Sequence, residues 1–305
     1  MHESLFPLLT EIGWDIDYQP AITRDAINLT LKNNGYDGLI VRSKTTIDRD
    51  LLGENPSVRF IGRAGAGIDN LDVDYLHEKG IHILHASEGN RDAVGEYTVG
   101  ALLALMRNIP RADQQVRQRV WEREGNRGEE IMGKTIGIIG YGNMGQAFAR
   151  RLAGFGCNVL AYDKYKTGFS DAVCSEVTEQ EIVDQADILS LHIPLTPETK
   201  GMVSRAYLDR FKKSIIVVNA ARGEIVSLTD LAACVETGKV RGAVLDVLEN
   251  EKLPTLTPAQ QQAFDTLTGK TNVIFTPHIA GWTYESHVKI NVALVQKIDA
   301  LKLAH

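Results

Sequence analysis

From Lys134 onward, short β-branched runs alternate with helical patterns, and no other feature of the chain restricts its fold so tightly. The runs are KTIGIIG, NVLAYD, DILSLHIP, SIIVVNAA, GAVLDV and NVIFTPHI. Near-continuous apolar runs of this length suit strands buried on both faces, the condition of a parallel sheet. Helix starts are legible between them. Thr178 and Glu181 stand at capping-box spacing, and Ser227 precedes LTDLAACVETG, which stops at Gly238. The first eighty residues repeat the theme more loosely, with DGLIVRS, RFIGRAG and IHILHA as strands and SLFPLLTEIG, TRDAINLTLKN and LDVDYLHEKG as helices. The expected class is α/β: two doubly wound Rossmann-like domains with parallel sheets and a cleft between them. A length of 305 residues suffices for two such cores.

Between the halves, DAVGEYTVGALLALMRNI is apolar around most of its circumference, so a helix there must be covered on nearly all sides. It is a candidate for the domain junction or for the interface of a homodimer. The last twenty or so residues read as one long amphipathic helix. A net charge of −6 offers no general field for a polyanion, so nucleic acid is not an expected partner. Cys157, Cys174 and Cys234 lack metal-ligand or CxxC spacing, and no metal is expected. No apolar stretch approaches a membrane span, and MHESLF lacks the basic flank and apolar core of a signal peptide, so a cytoplasmic protein is expected.

GYGNMG follows the strand KTIGIIG and opens a helix whose apolar positions Met144, Phe148, Leu152 and Phe155 share one face. Gly140 suits a tight turn, Gly142 the approach of a pyrophosphate to backbone N–H groups, and Gly145 the packing of helix on strand. Glycine clusters also join strands to helices where nothing binds. Asp163, at the end of the next strand, favours the dinucleotide, because its carboxylate can accept both ribose hydroxyls and would repel a 2′-phosphate. The expected cofactor is therefore NAD, a preference that the neighbouring Lys164 weakens without reversing.

Hydride transfer to or from a 2-hydroxy acid needs an acid/base at the hydroxyl and a cation for the carboxylate. NAARG, LDVLENE and TPHIAGW each follow a strand, where ligands of doubly wound sheets bind. Spacing alone leaves Glu249 and Glu251 as rivals, and lets Arg222 cap a turn or His278 sit idle in a loop.

With GYGNMG and Asp163, VNAARG, GAVLDV followed by Glu251, and TPHIAG, the chain resembles the D-isomer-specific 2-hydroxyacid dehydrogenases over nearly its whole length. The resemblance implies Arg222 as clamp for the carboxylate and carbonyl, His278 as acid/base, and Glu251 as the carboxylate that orients His278. It implies cofactor contacts at Asn143, Met144, His192, Pro194, Asn219, Ala220, Arg222, Asp246, His278 and Gly281, besides the three glycines and Asp163. It also implies a discontinuous substrate domain, 1–87 with 279–305, around an NAD-binding domain, 88–278. RAGAGIDN matches the family's carboxylate-binding loop at Gly65, Ala66 and Gly67, with Arg42, Ser43 and Arg63 adding polar and positive groups.

VRSKT and SEGNRDAVGEYT look most like the short-form phosphoglycerate dehydrogenases of that family, which implies 3-phosphoglycerate and 3-phosphohydroxypyruvate as substrate pair, and serine biosynthesis. Arg42 and Arg63 could equally pair with acids inside the structure. The alternatives are a glyoxylate or hydroxypyruvate reductase and, from another class, a non-catalytic NAD-sensing interaction protein. Three departures from the family pattern stand out. No buried strand precedes SLFPLLTEIG, so the start is expected to lie upstream, the chain to be a fragment, or the sheet to lack an edge; serine feedback through a regulatory domain after the catalytic pair is not expected; and Trp282 stands where a small residue is common.

Overall fold

The structure, a computed structural model, describes residues 2–54 and 56–302. It resolves into two compact units, Met1–Arg91 with Trp282–His305, and Asp92–Gly281. The first is built on three parallel strands, β1 (Gly38–Val41), β2 (Phe60–Arg63) and β3 (His82–His85), in that spatial order. Ile27, Ile47, Leu51, Ile61 and Leu76 form one of its cores. In the other, the helices Leu5–Glu11 and Tyr284–Ala300 pack Leu5, Leu9, Leu294 and Ile298 with Phe60 and Ala64. The sheet is thus covered on both sides, as its apolar strands require.

The second unit holds seven parallel strands: β4 (Thr135–Ile139), β5 (Asn158–Tyr162), β6 (Ser175–Glu176), β7 (Ile188–Leu191), β8 (Ile215–Asn219), β9 (Val240–Leu245) and β10 (Val273–Phe275). Their order is β10-β9-β8-β7-β4-β5-β6, so the direction of winding reverses between β4 and β7. A crevice for ligands opens at the carboxyl ends of strands at such a reversal. Ile188, Leu191, Val217 and Leu245 are almost without exposure. Phe148 is fully buried among Ile136, Ile138 and Val159, and its truncation to Ala would cost about 3–5 kcal/mol.

The apolar segment expected to be helical over 92–109 forms the helix Arg91–Met106, and a second helix, Ile109–Arg117, follows after Asn108 with φ 54°. The first is wrapped largely by its own unit: Val99, Leu102, Leu105 and Met106 join the core of β4, and Gly95 lies against the backbone of Ala147. Its apolarity is explained without a second chain. The helix Pro258–Thr268 is a further element, started by the capping box of Thr257 and Gln260 with Pro258 at its first turn.

Candidate active site

Every candidate side chain of the second unit follows a strand of one sheet. β4 leads into Gly140, whose φ of +93° suits glycine, and a Cβ there would meet the carbonyl of His192 at 2.5 Å. A Cβ on Gly145 would collide with the Gly140 carbonyl, whereas one on Gly142 would meet nothing within 4 Å. Glycines at 140 and 145 therefore shape the turn, and Gly142 leaves space above it. The helix Asn143–Leu152 begins with no side-chain cap, and among the described residues the N–H groups of Met144 and Gly145 have no hydrogen-bond partner. Two open donors at the positive end of a helix suit a pyrophosphate.

Asp163, just past β5, accepts from the N–H of Tyr141 at 2.8 Å, and its other oxygen accepts from Tyr165 and Lys166 at 2.9 and 3.1 Å. The acid is thereby locked to the glycine turn. Lys164 turns away to an ion pair with Glu198. Past β7, the His192 ring lies on Phe148, shares a proton with the Ser190 hydroxyl at 2.9 Å and leaves Nδ1 buried without a partner. Burial pushes its pKa down to about 4, so it is neutral at physiological pH. Pro194 is exposed, and its carbonyl accepts from the Thr199 hydroxyl at 2.7 Å.

The turn after β10 has the densest hydrogen bonding in this region. His278 adopts the left-handed conformation, φ 57°, and its N–H donates to the carbonyl of Asp246 at 2.7 Å. The Asp246 carboxylate, 1% exposed, accepts from the Thr276 hydroxyl at 2.6 Å and from the N–H groups of Ile279 and Ala280 at 2.8 Å each. Tyr97, from the helix Arg91–Met106, hydrogen-bonds the Thr276 hydroxyl in turn. Such a network can hold a residue in an uncommon backbone conformation. His278 Nδ1 lies 2.8 Å from Oε1 of Glu251, both side chains about half exposed at 48% and 49%. The carboxylate raises the imidazole pKa above its ordinary value; burial and the charge of Arg222 act against this.

Geometry separates the two rival acids. Glu249 accepts from the Leu228 N–H at 3.0 Å and so caps the helix that begins there, leaving Glu251 with the histidine. Asn219, fully buried at the end of β8, donates its amide N–H to the carbonyl of Arg222 and accepts from Ala221 N–H. Both ends of its side chain therefore shape the turn that presents Arg222. The guanidinium of Arg222 donates to the Ala221 carbonyl at 2.6 Å, and its charge acts on His278. Ala220 and Gly281 lie at the same end of the sheet, half-buried.

In the first unit, β1 leads into Arg42 and the exposed Ser43, and β2 into Ala64 and the Gly65–Gly67 loop. Gly65 has φ +153°, its N–H donates to the Arg63 carbonyl, and the Arg63 guanidinium lies where a side chain on Gly65 would be. Among the described residues the N–H groups of Ala66 and Gly67 have no partner. This loop is built to receive an acceptor. Arg42 is half-buried, stacks on Trp282 at 4.7 Å and pairs with no carboxylate among the described residues.

Residues 99–280 match the model of the D-isomer specific 2-hydroxyacid dehydrogenase NAD binding domain. The chain belongs to that family. It is 34% identical to a D-3-phosphoglycerate dehydrogenase of Methanocaldococcus jannaschii over 98% of its own length and 55% of that protein's. It is 36% identical to a hydroxypyruvate reductase of Thermotoga maritima, covering 86% of this chain and 83% of the relative. A solved structure of D-lactate dehydrogenase from Aquifex aeolicus with NAD and lactic acid superposes with a TM-score of 0.83 at 25% identity, over 99% of this chain and 93% of that one. The chain spans about half the length of the curated phosphoglycerate dehydrogenases it matches. NAD is the cofactor of the family domain, and the open helix terminus, the space over Gly142 and the tethered Asp163 fit it.

Proposed function

We propose that this chain catalyses reversible hydride transfer between NAD and a small D-2-hydroxy acid, and that His278, Glu251 and Arg222 do the chemistry. The observation that carries the reading is the His278–Glu251 pair at 2.8 Å, with the charge of Arg222 acting on the same imidazole. Bound NAD supplies the hydride acceptor or donor. In reduction the His278 imidazolium gives its proton to the carbonyl oxygen of the 2-oxo acid, and in oxidation the neutral ring takes the hydroxyl proton. Glu251 favours the charged ring and fixes which nitrogen faces away from the carboxylate. Arg222 offers a planar fork to the substrate carboxylate, which Lys could not match. The Asp246 network holds the histidine turn fixed while this happens. We assign the substrate anion to the first unit, 1–91 with 282–305, through the Gly65–Gly67 loop.

The substrate we favour is the 3-phosphoglycerate and 3-phosphohydroxypyruvate pair, which would place the chain in serine biosynthesis. Arg42, a half-buried cation without a carboxylate partner among the described residues, supports a second anion on the substrate. The likeness to a hydroxypyruvate reductase over most of that protein supports the second reading, an unphosphorylated acid. Steady-state rates with NADH and 3-phosphohydroxypyruvate, hydroxypyruvate or glyoxylate decide between them. NAD binding without turnover on any of these would favour the interaction protein.

We further propose a cytoplasmic homodimer. Ile109, Val116, Val120, Trp121 and Met132 are exposed, Trp121 at 81%, and burying them against a second copy would remove them from water. Light scattering in solution tests this.

A further inference from the structure

We propose that Glu198 determines cofactor specificity: by holding Lys164 it denies a 2′-phosphate the cation beside Asp163, and so keeps the site for NAD rather than NADP. The residues involved all belong to the second unit. In the strand order β7-β4-β5, the loops past β5 and β7 flank the glycine turn that follows β4. Two strand spacings, about 10 Å, separate β5 from β7. Lys164 lies in the loop past β5 and Glu198 in the loop past β7, 34 positions further on, and their ion pair joins the two loops across that turn. Both side chains are more than half exposed, at 52% and 59%.

Each partner stands on a fixed turn. One oxygen of Asp163 accepts from the N–H groups of Tyr165 and Lys166, so the backbone that carries Lys164 is wound on the acid itself. In the other loop the N–H of Thr196 donates to the Thr199 hydroxyl at 2.8 Å, and that hydroxyl donates to the Pro194 carbonyl at 2.7 Å, which sets the place of Glu198 between the two threonines. Tyr165 is a third anchor: its hydroxyl donates to the second Glu198 oxygen at 3.3 Å, and the Lys164 ammonium lies 5.7 Å from the centre of its ring. A phosphate monoester carries about −1.5 to −2 charges at neutral pH. Beside Asp163 such a group meets a like charge, and the adjoining cation that would offset it is already engaged. Asp163, Lys164 and Glu198 together carry one net negative charge; without Glu198 they carry none, and an ammonium is free to donate to a phosphate oxygen. NAD asks only for an acceptor at its ribose hydroxyls, which Asp163 supplies. An exposed ion pair adds little to stability, so Glu198 can be replaced without unfolding the chain.

The inference rests on the NAD site and not on which 2-hydroxy acid is the substrate. The full chain is compared with Glu198→Gln, Glu198→Ala, Lys164→Met and the double variant of Glu198→Gln with Lys164→Met, each first checked by its melting curve. Kd values for NADH and NADPH are read by fluorescence titration, which needs no turnover. The parent chain should prefer NADH, and each Glu198 variant should lower the ratio of the NADPH Kd to the NADH Kd about fivefold. Lys164→Met alone should change that ratio by less than about twofold, because the ammonium is engaged, whereas in the double variant it should cancel the gain. Lys166→Met, at a second exposed cation of the same loop, should leave the gain in place. A gain that survives in the double variant would mean that Glu198 merely repels the phosphate, and would overturn the withholding of Lys164. A gain lost with Lys166→Met, a parent that prefers NADPH, or a ratio unmoved by both folded Glu198 variants while NADH still binds, would also overturn it. A parent chain that binds neither nucleotide would remove the cofactor site itself, and this inference with it.

Discussion

Past β10, the polar groups around His278 are held by their own unit, whereas past β1 and β2 the donors are left open. Asp246 gathers the Thr276 hydroxyl and the N–H groups of Ile279 and Ala280, its carbonyl takes the N–H of His278, and Glu251 takes the ring. Ala66 and Gly67 N–H, the Arg42 fork and His287 Nε2 have no such partners among the described residues. A group that moves a proton must be in place before the substrate arrives, because misplacement is lost directly from the rate. A group that reads the substrate's charge can remain unsatisfied, since the substrate completes it.

The sharpest way to break this contrast is at the histidine. His278→Gln should lower kcat/KM for reduction by about 10²–10⁴-fold with NAD affinity kept, measured by NADH absorbance and by titration. Asp246→Ala should come next, because it orphans two backbone donors and a hydroxyl in a buried turn. It should lower stability by about 1–3 kcal/mol in a denaturant titration, and activity with it. Arg42→Ala, in the open region, should do the opposite: leave the unfolding midpoint within error, and raise the KM for a phosphorylated 2-oxo acid about tenfold or more. A destabilised Arg42→Ala would show that the open donors are not open.

The smallest effect is a shift rather than a loss. Glu251 raises the His278 pKa, so reduction persists at low pH and fails as pH rises through that raised value. In Glu251→Gln the falling limb of the reduction profile should move to lower pH. A limb in the same place would mean that Glu251 does not set the ionisation of the ring.

Much of this arrangement is legible in the sequence. Strands buried on both faces announce themselves as apolar runs, and the residues that end them, Gly140, Asp163, Arg222 and His278, are therefore placed at one end of a sheet by reading alone. What escaped is what depends on folding contacts. β6 is two polar residues, Ser175 and Glu176, with no apolar run to mark it. Glu249 and Glu251 are two apart, so only the folded turn separates a helix cap from a histidine partner. Tyr97 reaches Thr276 across 179 residues, and no local pattern signals that bond. The Asp246 and Asn219 side chains hold their own turns, through the Ile279 N–H and the Arg222 carbonyl, bonds that the sequence does not show. Trp282 stood out as bulk, but its place beneath Arg42 is a tertiary fact.

The most direct test is the pair of pH profiles of the unmodified chain, reduction of a 2-oxo acid with NADH and oxidation of the matching D-2-hydroxy acid with NAD. Reduction should fall and oxidation should rise through one and the same apparent pKa, displaced upward from that of free histidine. Two profiles that are flat, or that move in the same direction across that range, would contradict a single imidazole at position 278 carrying the proton in both directions.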